Sequence, residues 1–372
     1  MKLIYLANIG LPTAWAHGIQ IMKMCEALAE QGVEVELVAP RRRRSPREDP
    51  FAFFSVKKNF KIKFIPCLDL VPGHKSSIFF WLRLMSFLLS AKIYLSFKKF
   101  DALYTRDFAA GLFFTNYYLE IHSMPDLAKN WHKKVWRRAK ALFVLTSIIK
   151  QELEQAGVPG DKISVAPDGV DLALFDVAVS QDEARQKLNL PEAKKIILYS
   201  GSFYMRDWKG VDVLLEAVKA FPADCLLILV GGQEKEIKEI KQKYAFKNII
   251  IFGRQPHDKI PYFLKAADVL VLPNKKGESI SAKYTSPMKL FEYMASGRPI
   301  LASDLPSLRE VLSERNSYLI ESDNPEKLAG KLKEILADPG LAREKAERAR
   351  QDARQYAWSQ RAAKIIKFIG KN

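Results

Sequence analysis

Short apolar runs separated by amphipathic stretches of helical spacing set the rhythm of this chain. Runs at 2–7, 33–39, 102–104, 117–121, 141–145 and 163–165 are dominated by apolar residues, as strands buried on both faces require. Between the first two runs, 18–31 carries the spacing of a helix. The rhythm restarts at 195–199 and continues at 225–230, 249–252, 269–272 and 299–302. Strands alternating with helices predict parallel sheets covered by helices on both faces. In a chain of 372 residues, two such series predict an α/β fold of two doubly wound domains, each with its own core. The expected boundaries are 1–180 for the first domain, a polar linker at 181–194, 195–355 for the second domain, and a closing helix at 356–372.

Open parallel sheets bind ligands at the carboxyl ends of their strands, so residues just after strands are the candidates. The first run leads into His17, Gly18 and Gln20, and a glycine at a helix start permits close backbone approach, although a tight turn explains it equally. Arg106 follows the run at 102–104 and suits an anion or a salt bridge with Asp107. His122 ends the run at 117–121, where it is either a site residue or a structural one. In the second half, Gly201, Ser202, Arg206, Trp208, Lys209 and Gly210 follow 195–199. Gly231 follows 225–230, and Gly253, Arg254, Gln255 and Pro256 follow 249–252.

The most informative stretch is 286–304, SPMKLFEYMASGRPILASD. A proline near a helix start precedes amides that lack partners within the first turn, a donor-rich end that suits a diphosphate. Met288 and Lys289 lie at that end, and Glu292 follows about a turn and a half in, where its carboxylate can accept from neighbouring hydroxyls such as those of a ribose. The same residues also describe an ordinary amphipathic helix, ended by Gly297, whose Lys and Glu are merely solvated.

This stretch resembles the signature of retaining, nucleotide-sugar-dependent glycosyltransferases of family 4 (group 1), which have the GT-B fold. Glu292 matches the second Glu of that family's E-x7-E motif, and Tyr284 stands at the first. The resemblance runs from the first strand to the Trp358-Ser-Gln-Arg361 segment of the closing helix. It implies two Rossmann-like domains facing across a cleft, with the last helix crossing back to the first domain.

The implied reaction transfers a hexosyl group from a nucleotide diphosphate sugar, a UDP- or GDP-sugar, to an acceptor hydroxyl. On this reading Gly18, Gly201, Ser202, Arg206, Lys209, Gly231, Arg254, Gln255, Tyr284, Met288, Lys289 and Glu292 bind the donor. His122, Lys209 and Glu292 carry the chemistry, and His17, Gln20 and Arg106 lie on the acceptor side. The family commonly works without a metal, and neither a metal nor a prosthetic group is expected. A nucleotide-sugar epimerase on the same architecture, or a transferase with a soluble acceptor, is the alternative.

Charge adds the partner. The net charge is +17, and residues 41–150 hold 22 Lys and Arg against 7 Asp and Glu. The excess begins at Arg41-Arg42-Arg43-Arg44 and attracts anionic headgroups, acidic glycans or nucleic acid. No nucleic-acid reader motif accompanies it, so nucleic acid is not the expected partner. Within this region 78–95 is apolar and aromatic, broken by Arg83 and Lys92. As a helix it either packs on the sheet or lies in a membrane interface, with Arg83, Ser86 and Ser90 on its polar stripe. The expected partners are therefore a nucleotide sugar, a glycan or lipid-linked acceptor and an anionic membrane, at the cytoplasmic face of the cell membrane. Lys2 and an apolar run open the chain, but Asn8, Gly10 and Pro12 interrupt it, so a strand is expected there rather than a secretory signal. Cys25, Cys67 and Cys225 lack disulfide or zinc spacing and are expected as thiols in a reducing compartment.

Overall fold

A computed structural model describes the chain except at positions 14, 43–47, 70–76, 126, 204–207, 245 and 372. Expectations placed on Arg43, Arg44 and Arg206 lie outside the described residues. The chain forms two compact units, Met1–Pro167 with Trp358–Asn372, and Asp168–Ala357.

The first unit holds strands β1 (Lys2–Leu6), β2 (Glu34–Pro40), β3 (Lys61–Ile65), β4 (Ala102–Thr105), β5 (Tyr118–Ile121), β6 (Ala141–Val144) and β7 (Ile163–Val165), in the order β3-β2-β1-β4-β5-β6-β7. Every pairing is parallel. The second unit holds β8 (Lys195–Ser200), β9 (Cys225–Gly232), β10 (Ile249–Gly253), β11 (Val269–Leu272), β12 (Ile300–Ser303) and β13 (Tyr318–Ile320), in the order β10-β9-β8-β11-β12-β13. These too are all parallel. In both sheets the order reverses beside the first strand of the unit, which is where ligands of such sheets bind.

β3 and β13 have no counterpart among the apolar runs. Both are edge strands, and β3 reads Lys-Ile-Lys-Phe-Ile with its lysines outward. An edge strand needs no continuous apolar run, and outward lysines discourage pairing with another chain.

The division between units falls at Pro167 and Asp168 rather than within the expected 181–194 linker. Part of that stretch is the helix Gln181–Lys187, opened by Ser180 accepting from the Glu183 amide. Val170, Phe175, Ala184 and Leu190 are buried in the core of the second unit. Apolar positions too sparse to read as a strand are still enough to dock a segment against a core.

The helix Ser77–Ser96 packs one face, Leu84, Phe87, Leu88, Ala91 and Leu95, into the first unit. The polar stripe of Arg83, Ser86 and Ser90 is half-buried. Ser86 accepts from the Leu68 amide at 2.9 Å and Arg83 lies 3.7 Å from Asp69. What faces outward is mainly apolar, Ile78, Leu82, Leu89 and Ile93 with Lys92 among them, and Phe97 is exposed just past the helix. By length and composition this helix also meets the requirement for crossing a membrane.

Candidate functional site

In the first unit, the ends of β1, β4 and β5 bring most of the expected acceptor-side residues together around a residue that was not singled out, Glu120. Its carboxylate is fully buried. Glu120 Oε1 accepts from Gln20 Nε2 at 2.7 Å, meets His122 Nε2 at 2.6 Å and lies 3.0 Å from Arg361 Nη2. Tyr104 donates its hydroxyl to Oε2. Arg106 in turn donates to Gln20 Oε1 at 2.5 Å. Burial opposes ionisation of Glu120, but Arg361, then His122 and Arg106, hold it well below the usual carboxylate range. Because an ionised carboxylate only accepts, Nε2 is the nitrogen of His122 that carries the hydrogen in this pair. The signal for Glu120 was present: residues two apart on a strand share a face, and Glu120 stands two before His122.

The loop after β1 adds a second layer. Arg42 donates to Asn8 O at 3.1 Å and to Asn8 Oδ1 at 3.3 Å, and the Asn8 amide donates to Asp107 Oδ2 at 2.5 Å. Burial pushes Asp107 up to about 6, against the pull of that amide and of Arg106 and Arg42. Desolvation, then the charges of Arg106, Arg42 and His122, push His17 down to about 4. Arg42 is therefore not part of an outward basic patch; it folds back over the loop of β1. Lysines of the same basic region are also partly paired, Lys57 with Glu30 and Lys58 with Asp49. Gly18 differs from expectation as well. It lies inside the helix Ala16–Glu30, where a Cβ would stand 2.6 Å from Thr13 and 2.9 Å from Phe54, so a larger residue would crowd those side chains.

In the second unit, the carboxyl ends of β8 and β9 meet the start of the helix Met288–Ala295. Gly201 and Gly231 have φ of +134° and +117°, and a Cβ on Gly231 would lie 2.7 Å from the Gly201 carbonyl. Only a glycine at 231 lets the end of β9 come this close to the turn after β8. Tyr293 locks the helix to β8 by accepting from the Ser200 amide at 2.8 Å. Lys289 is thereby brought over the Tyr199 ring, 3.9 Å from its centroid, and a Cβ on Gly201 would come within 2.6 Å of its Nζ. Lys209 donates to Ser202 Oγ, so a second ammonium is held beside the same loop. Pro287 begins the helix with no side-chain cap, so its first turn at Met288 and Lys289 keeps the donor character of a helix start.

Glu292 is buried, and His257 Nε2 contacts its Oε1 at 3.1 Å. His257 opens a short turn just after Arg254, Gln255 and Pro256, and nothing in the sequence pairs it with Glu292. Gln255 bonds back to Gly253 O at 3.3 Å and Arg254 is exposed. Tyr284 is buried at the end of a π-helical turn, Ile280–Tyr284. The geometry thus gathers Gly201, Ser202, Lys209, Gly231, Met288, Lys289 and Glu292 at one end of one sheet, an arrangement able to hold an anion and a pair of hydroxyls. Among the described residues no group of His, Cys, Asp and Glu is arranged to hold a metal.

Residues 180–356 match the family model for glycosyl transferases group 1, and residues 18–174 match that for glycosyltransferase family 4. The D-inositol 3-phosphate glycosyltransferase of Xylanimonas cellulosilytica is 28% identical over 56% of this chain and 51% of its own length. The phosphatidyl-myo-inositol mannosyltransferase of Mycolicibacterium smegmatis is 27% identical over 67% of this chain and 61% of its own. The chain thus spans about half to three-fifths of these curated relatives. Among solved structures, sucrose-phosphate synthase from Thermosynechococcus elongatus superposes with a TM-score of 0.81 at 22% identity, covering 100% of this chain and 99% of that one. Anabaena HepE, solved with UDP, gives 0.78 at 15% identity and covers all of both chains. Two family models in succession along most of the sequence, with two Rossmann-like parallel sheets beneath them, mean that this chain belongs to the group 1, family 4 glycosyltransferases and has the GT-B fold.

Proposed function

We propose that this chain is a retaining hexosyltransferase that uses a UDP- or GDP-sugar and glycosylates a lipid-linked hydroxyl at an anionic membrane surface. The observation that carries the reading is the convergence of Lys289 and Lys209 with the glycines at the ends of β8 and β9, less than one turn of helix from Glu292. Bond breaking at the anomeric carbon leaves charge on the departing diphosphate, and two fixed ammonium groups and a helix start stabilise it. Glu292 holds the ribose. The acceptor oxygen forms its bond to the anomeric carbon on the face from which the phosphate leaves, and the hydroxyl proton passes to that phosphate. Same-face attack keeps the anomeric configuration. His122, oriented by Glu120, holds a hydroxyl of the transferred sugar.

For the acceptor, the outward face of Ser77–Ser96 and the residues just after it support a membrane surface: Leu89, Ile93 and Phe97 are 53%, 58% and 86% exposed, with Lys92 and Lys99 alongside. An apolar stripe flanked by lysines suits the interface of an anionic bilayer. The relative named for phosphatidylinositol agrees with an anionic, lipid-linked acceptor, and the one named for inositol 3-phosphate agrees with an anionic one.

The test is a thermal-shift series with UDP, GDP, ADP and their common sugars, repeated with Glu292→Ala. UDP is the first candidate, since HepE was solved with it. A selective rise in Tm that the variant loses supports the reading, and no rise with any nucleotide overturns it. Product analysis then separates transfer to an acceptor from epimerisation of the donor.

A further inference from the structure

We infer that His257 is a positioning residue that sets the ribose selectivity of the nucleotide site by fixing the carboxylate of Glu292. The inference rests on the donor reading above and deepens it. Glu292 lies on the helix between β11 and β12, and His257 in the turn after β10, so two separate connections of one sheet meet in this pair. His257 Nε2 lies 3.1 Å from Glu292 Oε1, and the side chains are only 17% and 11% exposed. No described residue donates a hydrogen bond to Glu292 Oε2.

The other nitrogen of the ring decides the chemistry. His257 Nδ1 is buried with no hydrogen-bond partner, and the ring is held edge to face against Phe175 with centroids 5.3 Å apart. A hydrogen on Nδ1 would be a buried donor without an acceptor, which is costly, whereas a lone pair there costs less. Nε2 therefore carries the hydrogen and donates it to Oε1, which fixes the carboxylate plane and leaves Oε2 as the oxygen offered to a ligand. One oriented oxygen facing a ribose accepts from its 2′- and 3′-hydroxyls. A freely rotating carboxylate, which must first surrender rotamer freedom, does so less well.

The prediction is selective. Wild-type chain prefers a ribonucleoside diphosphate over its 2′-deoxy and 3′-deoxy forms by roughly tenfold, the order expected of hydrogen bonds to a charged acceptor. His257→Ala lowers that preference to about twofold, weakening the ribo form more than either deoxy form, which keeps one hydroxyl on Glu292. His257→Gln, which retains an N–H donor, recovers most of the preference. The measurement is titration calorimetry with UDP, GDP and the two deoxy analogues of whichever one binds. Equal weakening of ribo and deoxy forms in His257→Ala would mean that the ring only supports packing, and an unchanged preference would mean that it does nothing for the ribose; either result overturns the inference. Absence of any nucleotide binding by the wild type overturns the donor reading itself, a separate failure.

Discussion

Arg361, near the end of the chain, reaches back to Glu120 at the end of β5, with Nη2 3.0 Å from Oε1 and both side chains buried. The guanidinium also donates to the Pro167 carbonyl at 2.8 Å. It ties the closing helix to the carboxylate on which Gln20, Tyr104 and His122 converge. Removing one member of a buried pair strands the other charge, so Arg361→Met should cost about 3–5 kcal/mol in urea unfolding. Arg361→Met with Glu120→Gln should recover part of that loss. Since the folded-state pKa of Glu120 lies below its unfolded value, its stabilisation is present above about pH 4.3 and is lost as pH falls through the lower folded value.

Asp107 has the opposite sign. Its folded value of about 6 lies above the unfolded value near 3.9, so between about pH 4 and 6 the folded chain keeps a proton that the unfolded chain gives up. Stability from this group falls as pH rises through that window. Asp107→Asn should therefore be more stable than wild type at pH 8 by on the order of 1–3 kcal/mol, with little difference at pH 4. Paired urea titrations at the two pH values measure it.

Lys209→Ala and Lys289→Ala should each weaken binding of the cognate nucleoside diphosphate by about tenfold and leave the weak binding of the nucleoside unchanged. Calorimetry with the diphosphate and the nucleoside separates a phosphate contact from general damage. Equal loss for both ligands would remove the lysines from the diphosphate site.

Gly231→Ala tests the contact of the two loops. Its Cβ would lie 2.7 Å from a carbonyl oxygen, at a φ that side chains rarely adopt. The variant should lose about 1–3 kcal/mol of stability together with nucleotide binding. A variant that binds normally would show that the loops can separate without consequence for the ligand.

Leu89, Ile93 and Phe97, replaced together by Ser, should lower co-sedimentation with phosphatidylglycerol vesicles at least tenfold, since each large apolar side chain kept out of the interface forfeits on the order of 1 kcal/mol. Nucleotide binding should not change. Vesicle binding equal to wild type would count against the helix as the membrane face.

Much of this protein is legible in the order of its residues. Fully buried parallel strands must be continuously apolar, so the inner strands of both sheets could be read directly. Their place just after apolar runs marked Gly201 and Gly231, a helix end marked Gly297, and local helix rules marked the start at Pro287. The edge strand β3 escaped because lysines alternate with its apolar residues, and β13 because three residues are too short a run to stand out. The inward turn of Arg42, the burial of Glu120 beneath His122 and Arg361, and the pairing of His257 with Glu292 were decided by the tertiary structure alone. Each joins residues from separate strand connections, and periodicity reports which face of its own element a residue occupies, not which side chain from another element it meets there.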